Sequence, residues 1–255
     1  MTLLDGTLFL VCVAIATFAQ TLTGFAFGLI LLGLVGALHL APLADAANVV
    51  SVLSLANTFV VLRGTRESLD VPALKHTLIG SSVGVAIGVA LLGWLSGSVV
   101  LGLRFMLGLT ILACAAVLFL HARPLARRSS VRVFNAFGLL SGLMSGLFAS
   151  AGPPLVYQFY RQPMSHAAIR QTLGAVFAAN ALLRLVLVIP TGQFSRHALM
   201  LGVAAFPLVL GLTWWAKRHP PAWSPRTVKW VVCALLILSG LSLVVPSAAT
   251  WLSAH

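Results

Sequence analysis

Eight long blocks of apolar residues alternate with short polar stretches along the chain. Their approximate limits are Leu8–Leu40, Ala44–Leu62, Leu74–Leu95, Val99–Leu120, Val133–Tyr160, Ala167–Ile189, His197–Trp215 and Thr227–Val245. A helix that crosses a bilayer needs about 20 predominantly apolar residues. Six blocks fit that length. The first and fifth are longer, and both are interrupted. The first contains Gln20-Thr21-Leu22-Thr23-Gly24-Phe25-Ala26-Phe27-Gly28, with breaks expected at Thr23-Gly24 and again at Gly28. The fifth contains Ser141-Gly142-Leu143-Met144-Ser145-Gly146-Leu147-Phe148-Ala149-Ser150-Ala151-Gly152-Pro153-Pro154, with its break over Ala149–Pro154. The basic stretch ending in Pro220 and Pro221 should stop the seventh block, and Pro246 the eighth. In lipid, a broken helix survives only where protein or a water-filled cavity satisfies the freed backbone groups. A pair of interrupted segments at matching positions in two halves of a chain points to a transporter's binding site.

The blocks divide into halves, residues 1–122 and 123–255, on either side of a basic linker that holds Arg123, Arg127, Arg128 and Arg132. Each half is one broken block followed by three ordinary ones. Thr23-Gly24 falls against Ser145-Gly146, Ala46-Ala47 against Ala167-Ala168, and Ala56-Asn57 against Ala179-Asn180, at offsets of 122, 121 and 123 residues. Three matches in order favour a duplication.

Charge decides the expected topology, because loops rich in Lys and Arg stay on the cytoplasmic side. If all eight blocks cross, the basic residues divide almost evenly between the two sides. If the broken blocks enter and return on the same side, the linkers at 63–75, 123–132, 161–170 and 217–229 share one face. Only Arg104 and Arg196 remain on the other. The expected fold is therefore an all-α integral membrane protein of two inverted repeats. Each repeat is a re-entrant hairpin plus three transmembrane helices, with basic loops cytoplasmic and both termini outside.

Composition agrees with a membrane solvent. Hydrophobic residues make up 60% of the chain, charged residues 8%, and the mean hydropathy is +1.04. A soluble domain carries roughly a quarter charged residues. No polar stretch is long enough to form a separate soluble domain. The net charge of +12 is explained by topology, and no basic stripe interleaved with exposed aromatics suggests nucleic acid. Cys12, Cys114 and Cys233 lie in apolar blocks as small buried hydrophobes. Asp5 is the only charge near the N-terminus, so no removable signal peptide is expected. Most of the six tryptophans stand near block ends, as interface anchors do.

Enzymatic chemistry finds no support. The four carboxylates, Asp5, Asp45, Glu67 and Asp70, are terminal or in loops, so no buried acid–base pair is available. The seven histidines stand at segment ends, without metal-ligand spacing. No metal or cofactor is expected.

Thr23-Gly24-Phe25-Ala26-Phe27-Gly28 and Ser145–Pro154 resemble the paired Gly-Phe-rich and Gly-Gly-Pro signatures of the sulfite exporter TauE/SafE family, also called the 4-toluene sulfonate uptake permeases. Length and two-half hydropathy are similar as well. Phe27, and Ser150 or Ala151, stand where the family typically carries further glycine. The resemblance implies a bacterial inner-membrane secondary transporter or channel-like exporter of small sulfur-containing or organic anions. The competing readings are a non-transporting assembly or sensing component, and a permease for an unrelated solute. The expected partners are a small anion and the bilayer; a homo-oligomer stays open.

Several residues are candidates for the anion site. Gly24, Gly28, Gly146 and Gly152 allow close backbone approach, and Phe25 and Pro153 lie beside them. A half-helix starting at a hairpin tip offers free N–H groups to an anion without burying a full charge. Thr21, Thr23, Ser145 and Ser150 either donate hydroxyls to the same anion or bond back to a carbonyl one turn earlier. Gln20 either contacts ligand or closes the hairpin. Asn57 and Asn180 either reach the hairpin tips or bond between helices. Arg184 is the one charge well inside a span: it either supplies positive charge to the anion or snorkels to the outer interface near Pro190. Ser51, Ser54 and Ser141 are weaker candidates.

Overall fold

The computed structural model describes residues 3–62, 69–95, 100–119, 125–219 and 224–253. Arg63, Arg66, Glu67, His121, Arg123, Pro220, Pro221, Trp223 and His255 lie outside them. The described residues form ten helices: α1 (Leu3–Thr23), α2 (Phe27–Ala37), α3 (Leu43–Leu62), α4 (Val71–Leu95), α5 (Val100–Phe119), α6 (Val131–Phe148), α7 (Gly152–Tyr160), α8 (His166–Val188), α9 (Arg196–Arg218) and α10 (Pro225–Ser253). All except α2 and α7 are long and apolar enough to cross a membrane. The chain is a multi-pass membrane protein. Each broken block is a long helix, a bend of three residues and a short helix.

The breaks differ in detail from the expectation. The first bend covers Gly24–Ala26 alone, and Gly28 sits inside the first turn of α2 rather than at a second break. In the second block, Ser145 and Gly146 remain helical and the bend is Ala149–Ala151. Both bends begin with a left-handed residue, Gly24 at φ +88° and Ala149 at φ +51°. Glycine takes that conformation freely, whereas alanine takes it at a cost of about 1–2 kcal/mol. Pro246 does not end α10, which continues to Ser253. Proline removes one ladder bond, but membrane helices tolerate it where side chains and neighbours re-satisfy the backbone. The carbonyl that loses its ladder partner is that of Ser242, and α10 runs on past it; the Thr250 hydroxyl donates back to the Pro246 carbonyl at 2.6 Å.

The short helix α2 is buried on nearly every side, from Phe27 through Gly36. A helix apolar all round belongs in the centre of a bundle. It packs against α1, α3 and α10. The most extensive contact in the protein joins α4 to α6. A Cβ on Gly80, Gly84 or Gly88 would strike the backbone of α6, and one on Gly138, Gly142 or Gly146 would strike that of α4. Without a hydrophobic drive between helices in lipid, such close backbone packing supplies the attraction. The other main pairings are α5 with α10, α3 with α8 and α9, and α4 with α8.

Contacts between chain ends place the linkers. The Leu125 amide donates to the Arg161 carbonyl at 2.7 Å, and Ser129 and Gln162 bond each other twice. The start of α6 and the end of α7 therefore lie together. Arg128 pairs with Asp70 at the start of α4. At the other end of α4, a Cβ on Gly93 would stand 3.0 Å from Gln193. The Asn48 amide donates to the Gln193 carbonyl at 2.8 Å, so the start of α3 belongs to that opposite end.

Candidate functional site

The two bends meet. A Cβ on Gly28 would stand 3.0 Å from the Ser150 Cβ, and one on Gly152 would stand 3.0 Å from Leu29. Between them lies a small cavity of about 20 Å³, lined by Gln20, Phe25, Gly28, Ser54, Ser145, Ala149, Ser150, Ala151 and Phe177. A single water needs about 10–15 Å³ of such space, so this state is nearly closed. Two half-helices begin beside the cavity. Neither α2 nor α7 carries a side-chain cap. The first four N–H groups of a helix have no partner within it and attract negative charge. In α7 the second and third positions are Pro153 and Pro154, so it offers fewer donors than α2.

Arginines of α8 hold the carbonyl ends of the broken helices. Arg184 is fully buried. Its Nε donates to the Gly146 carbonyl at 3.1 Å, and Nη1 donates to Asn48 Oδ1 at 2.9 Å and Ser51 Oγ at 3.1 Å. Gly146 lies in the last turn of α6, where carbonyls lack helical partners. Arg184 thus caps α6 from another helix and does not snorkel. Arg170 reaches the other break: its Nη2 donates to the Thr21 carbonyl, in the last turn of α1, at 3.1 Å.

The match to known proteins covers most of the chain. The family model described as sulfite exporter TauE/SafE matches residues 8–243. This chain belongs to that family. A protein of Cupriavidus necator named "probable sulfite/organosulfonate exporter TauE" is 38% identical over 92% of this chain and 92% of its own length. A Comamonas testosteroni protein named "probable inner membrane transporter protein TsaS" is 31% identical over 67% of this chain and 71% of its own length. No solved structure matches the chain significantly.

Within this family member, the fold sorts the sequence candidates. Gln20, Phe25, Gly28, Ser145 and Ser150 converge on the cavity. Gly24 forms the first bend, and Gly152 and the buried Pro153 start α7. Gly146 packs on α4 and receives Arg184. Thr21 and Thr23 follow the back-bonding alternative: their hydroxyls donate to the carbonyls of Thr17 and Ala19 at 2.9 and 2.8 Å. Neither lines the cavity. Asn180 Oδ1 accepts from Ser81 of α4 at 2.8 Å, which ties α8 to α4. Asn57 is fully buried, and its amide atoms have no partner among the described residues. Neither asparagine lines the cavity. Ser51 holds Arg184, and Ser141 donates to the Ala151 carbonyl, which fixes the second bend.

Phe177 escaped sequence reasoning, Ala149 and Ala151 were read as part of the break but not as site candidates, and Ser54 ranked low. A signal for Phe177 was present. The offset that pairs Asn57 with Asn180 also pairs Ser54 with Phe177, and both line the cavity.

Proposed function

We propose that the protein is a secondary transporter that exports sulfite, organosulfonates or related small sulfur anions, bound between its two broken helices. The observation that carries this reading is the pair of uncapped half-helix starts beside one cavity that also presents Gln20, Ser54, Ser145 and Ser150. Backbone N–H groups, an amide and hydroxyls suit a tetrahedral or pyramidal oxyanion. They satisfy its oxygens without a permanently buried counter-charge. The name of the Cupriavidus relative supports the sulfur-anion class. The cavity is smaller than any such anion, so loading requires the Gly28 and Ser150 sides to part.

The halves act as inverted repeats. Helix order and the recurring long–short–long–long–long pattern support this, as do the left-handed residues that open both bends. The short helices then belong to re-entrant hairpins, and six helices cross: α3, α4, α5, α8, α9 and α10. The linkers grouped with Asp70 and Arg128 face the cytoplasm of a bacterial inner membrane, with both termini outside. Parting of the tips, by rocking of one repeat against the other, exposes the site to alternate sides.

The test is thermal stability of the purified protein in detergent at constant ionic strength. The salts are sulfite, sulfate, thiosulfate, taurine, isethionate, sulfoacetate, acetate and chloride. A ligand that binds only the folded state raises the melting temperature. The expected result is stabilisation by one or more sulfur anions, lost in Ser150→Val and Gln20→Leu. Equal melting temperatures across the panel, from a monodisperse sample, would remove the support for this substrate class.

A further inference from the structure

A second and far larger hollow lies on the outer face of the bundle, between α3 and α9 with α8 as its floor. It encloses about 1180 Å³. Its walls are Phe59 and Val60 of α3 and Phe206 and Leu210 of α9, with Ala178 behind them. Gly211 opens onto this hollow, and nothing stands within 4 Å of where its Cβ would lie. At one end the lining changes character to Trp214, Lys217 and Arg218. The Arg218 guanidinium lies over the Trp214 ring at 4.4 Å, and Lys217 reaches back to the Val60 carbonyl at 3.1 Å. Trp214 is half exposed beside them.

We propose that this groove holds one anionic phospholipid, its headgroup at Lys217 and Arg218 and an acyl chain along Phe206 and Phe59. Two observations select that occupant. The first is charge complementarity: two adjacent cations and an amphipathic indole mark one end of an otherwise apolar trough. Basic pockets between transmembrane helices bind anionic headgroups in this way. The second is length. From Phe206 to Lys217 the helix rises roughly 16 Å, at about 1.5 Å per residue, which is the depth of one leaflet of a core about 30 Å thick. An inorganic oxyanion would leave the apolar length unfilled, and a wholly apolar lipid would bring no negative charge to the basic end. The groove is separate from the cavity between the bends, although Leu55 and Ala178 in its wall directly follow the cavity residues Ser54 and Phe177.

The experiment compares phosphatidylglycerol with phosphatidylcholine added to the delipidated protein in neutral detergent. Native mass spectrometry counts bound lipid, and thermal melting follows stability. Phosphatidylglycerol should bind one per chain about thirtyfold tighter than phosphatidylcholine, the factor two basic side chains give at roughly 1 kcal/mol each. Lys217→Ala/Arg218→Ala should abolish the preference. Gly211→Phe, which fills open space, should abolish binding while leaving the lipid-free melting temperature unchanged. Gly211→Phe keeps the test decisive if the double variant folds poorly. Equal binding of the two lipids, or an undiminished preference in Gly211→Phe, would overturn the proposal. So would a groove-blocking variant that loses stabilisation by sulfur anions but not by phosphatidylglycerol, since the groove would then belong to the substrate path.

Discussion

Arg184 of α8 donates through Nε to the carbonyl of Gly146, in the last turn of α6, across 3.1 Å. One buried side chain thus terminates a broken helix that is 38 residues away in sequence. The same guanidinium holds Asn48 and Ser51 of α3, so three helices share it. Removing the guanidinium takes a donor from the Gly146 carbonyl, Asn48 Oδ1 and Ser51 Oγ, and a buried polar group left unsatisfied costs about 1–3 kcal/mol. Arg184→Ala should therefore lower the melting temperature sharply. Arg184→Lys keeps the charge but loses the planar fork, so it should fall between wild type and Arg184→Ala. Melting curves of the three proteins in one detergent check the order.

Gly28 has no room for a side chain, since a Cβ there would stand 3.0 Å from both Ser150 and Val50. Gly28→Ala should destabilise by about 1–3 kcal/mol, the usual cost of overpacking. It should also reduce stabilisation by sulfur anions, because the added methyl stands against the Ser150 hydroxyl at the cavity and takes up its space. If stability falls but the anion response is unchanged, the cavity is not the anion site.

The glycine face between α4 and α6 should tolerate nothing larger. Gly84→Ala would strike the Leu139 carbonyl oxygen, and Gly142→Ala that of Ser81. These obstacles are backbone, so the helices themselves must part, at a cost of at least about 3 kcal/mol. Gly202 on α9 has nothing within 4 Å of its Cβ position. Gly202→Ala should be neutral or gain up to about 1 kcal/mol in helix propensity. Yield of folded monodisperse protein after extraction distinguishes the two groups.

Asp70 carries a modest pH dependence. Burial raises its pKa, but hydrogen bonds from Arg128 and the Ala73 amide, with the guanidinium charge, outweigh this and hold it below the ordinary 3.8. The unfolded carboxyl has the higher pKa, so the stabilisation is complete above the unfolded value. It is lost as pH falls through the folded one. The pair is partly exposed and worth no more than about 1 kcal/mol. Asp70→Asn still caps α4 through the Ala73 amide but removes the charge. It should melt slightly below wild type at neutral pH and converge with it in strong acid.

Topology has a direct test. Leu38 follows α2 and Pro163 follows α7, and both are exposed. With re-entrant hairpins the two lie on opposite faces. With eight crossings they share one. Impermeant thiol reagents applied outside should label Leu38→Cys and spare Pro163→Cys. The native Cys12, Cys114 and Cys233 are buried and give a low background.

The membrane class, the helix positions and the two breaks were legible because their causes are local. Lipid demands about 20 apolar residues per crossing, and Gly24 or the run Gly152-Pro153-Pro154 disrupts a helix whatever surrounds it. The family was equally legible, since its signatures sit at those breaks. The sequence was misleading at Pro246, because in lipid a proline need not end a helix. It was silent on which polar groups face the cavity. Thr23 and Ser145 are matched in the two halves, yet Thr23 bonds back to Ala19 and Ser145 lines the cavity. The difference is position along the helix: Thr23 is the last residue of α1, whereas Ser145 stands four residues before the bend at Ala149, as the cavity residue Gln20 stands four before Gly24. Where α6 stops is tied to partners distant in the chain, the glycine face of α4 against α6 and Arg184 reaching Gly146. No local pattern of residues encodes it, so only the tertiary structure could decide it.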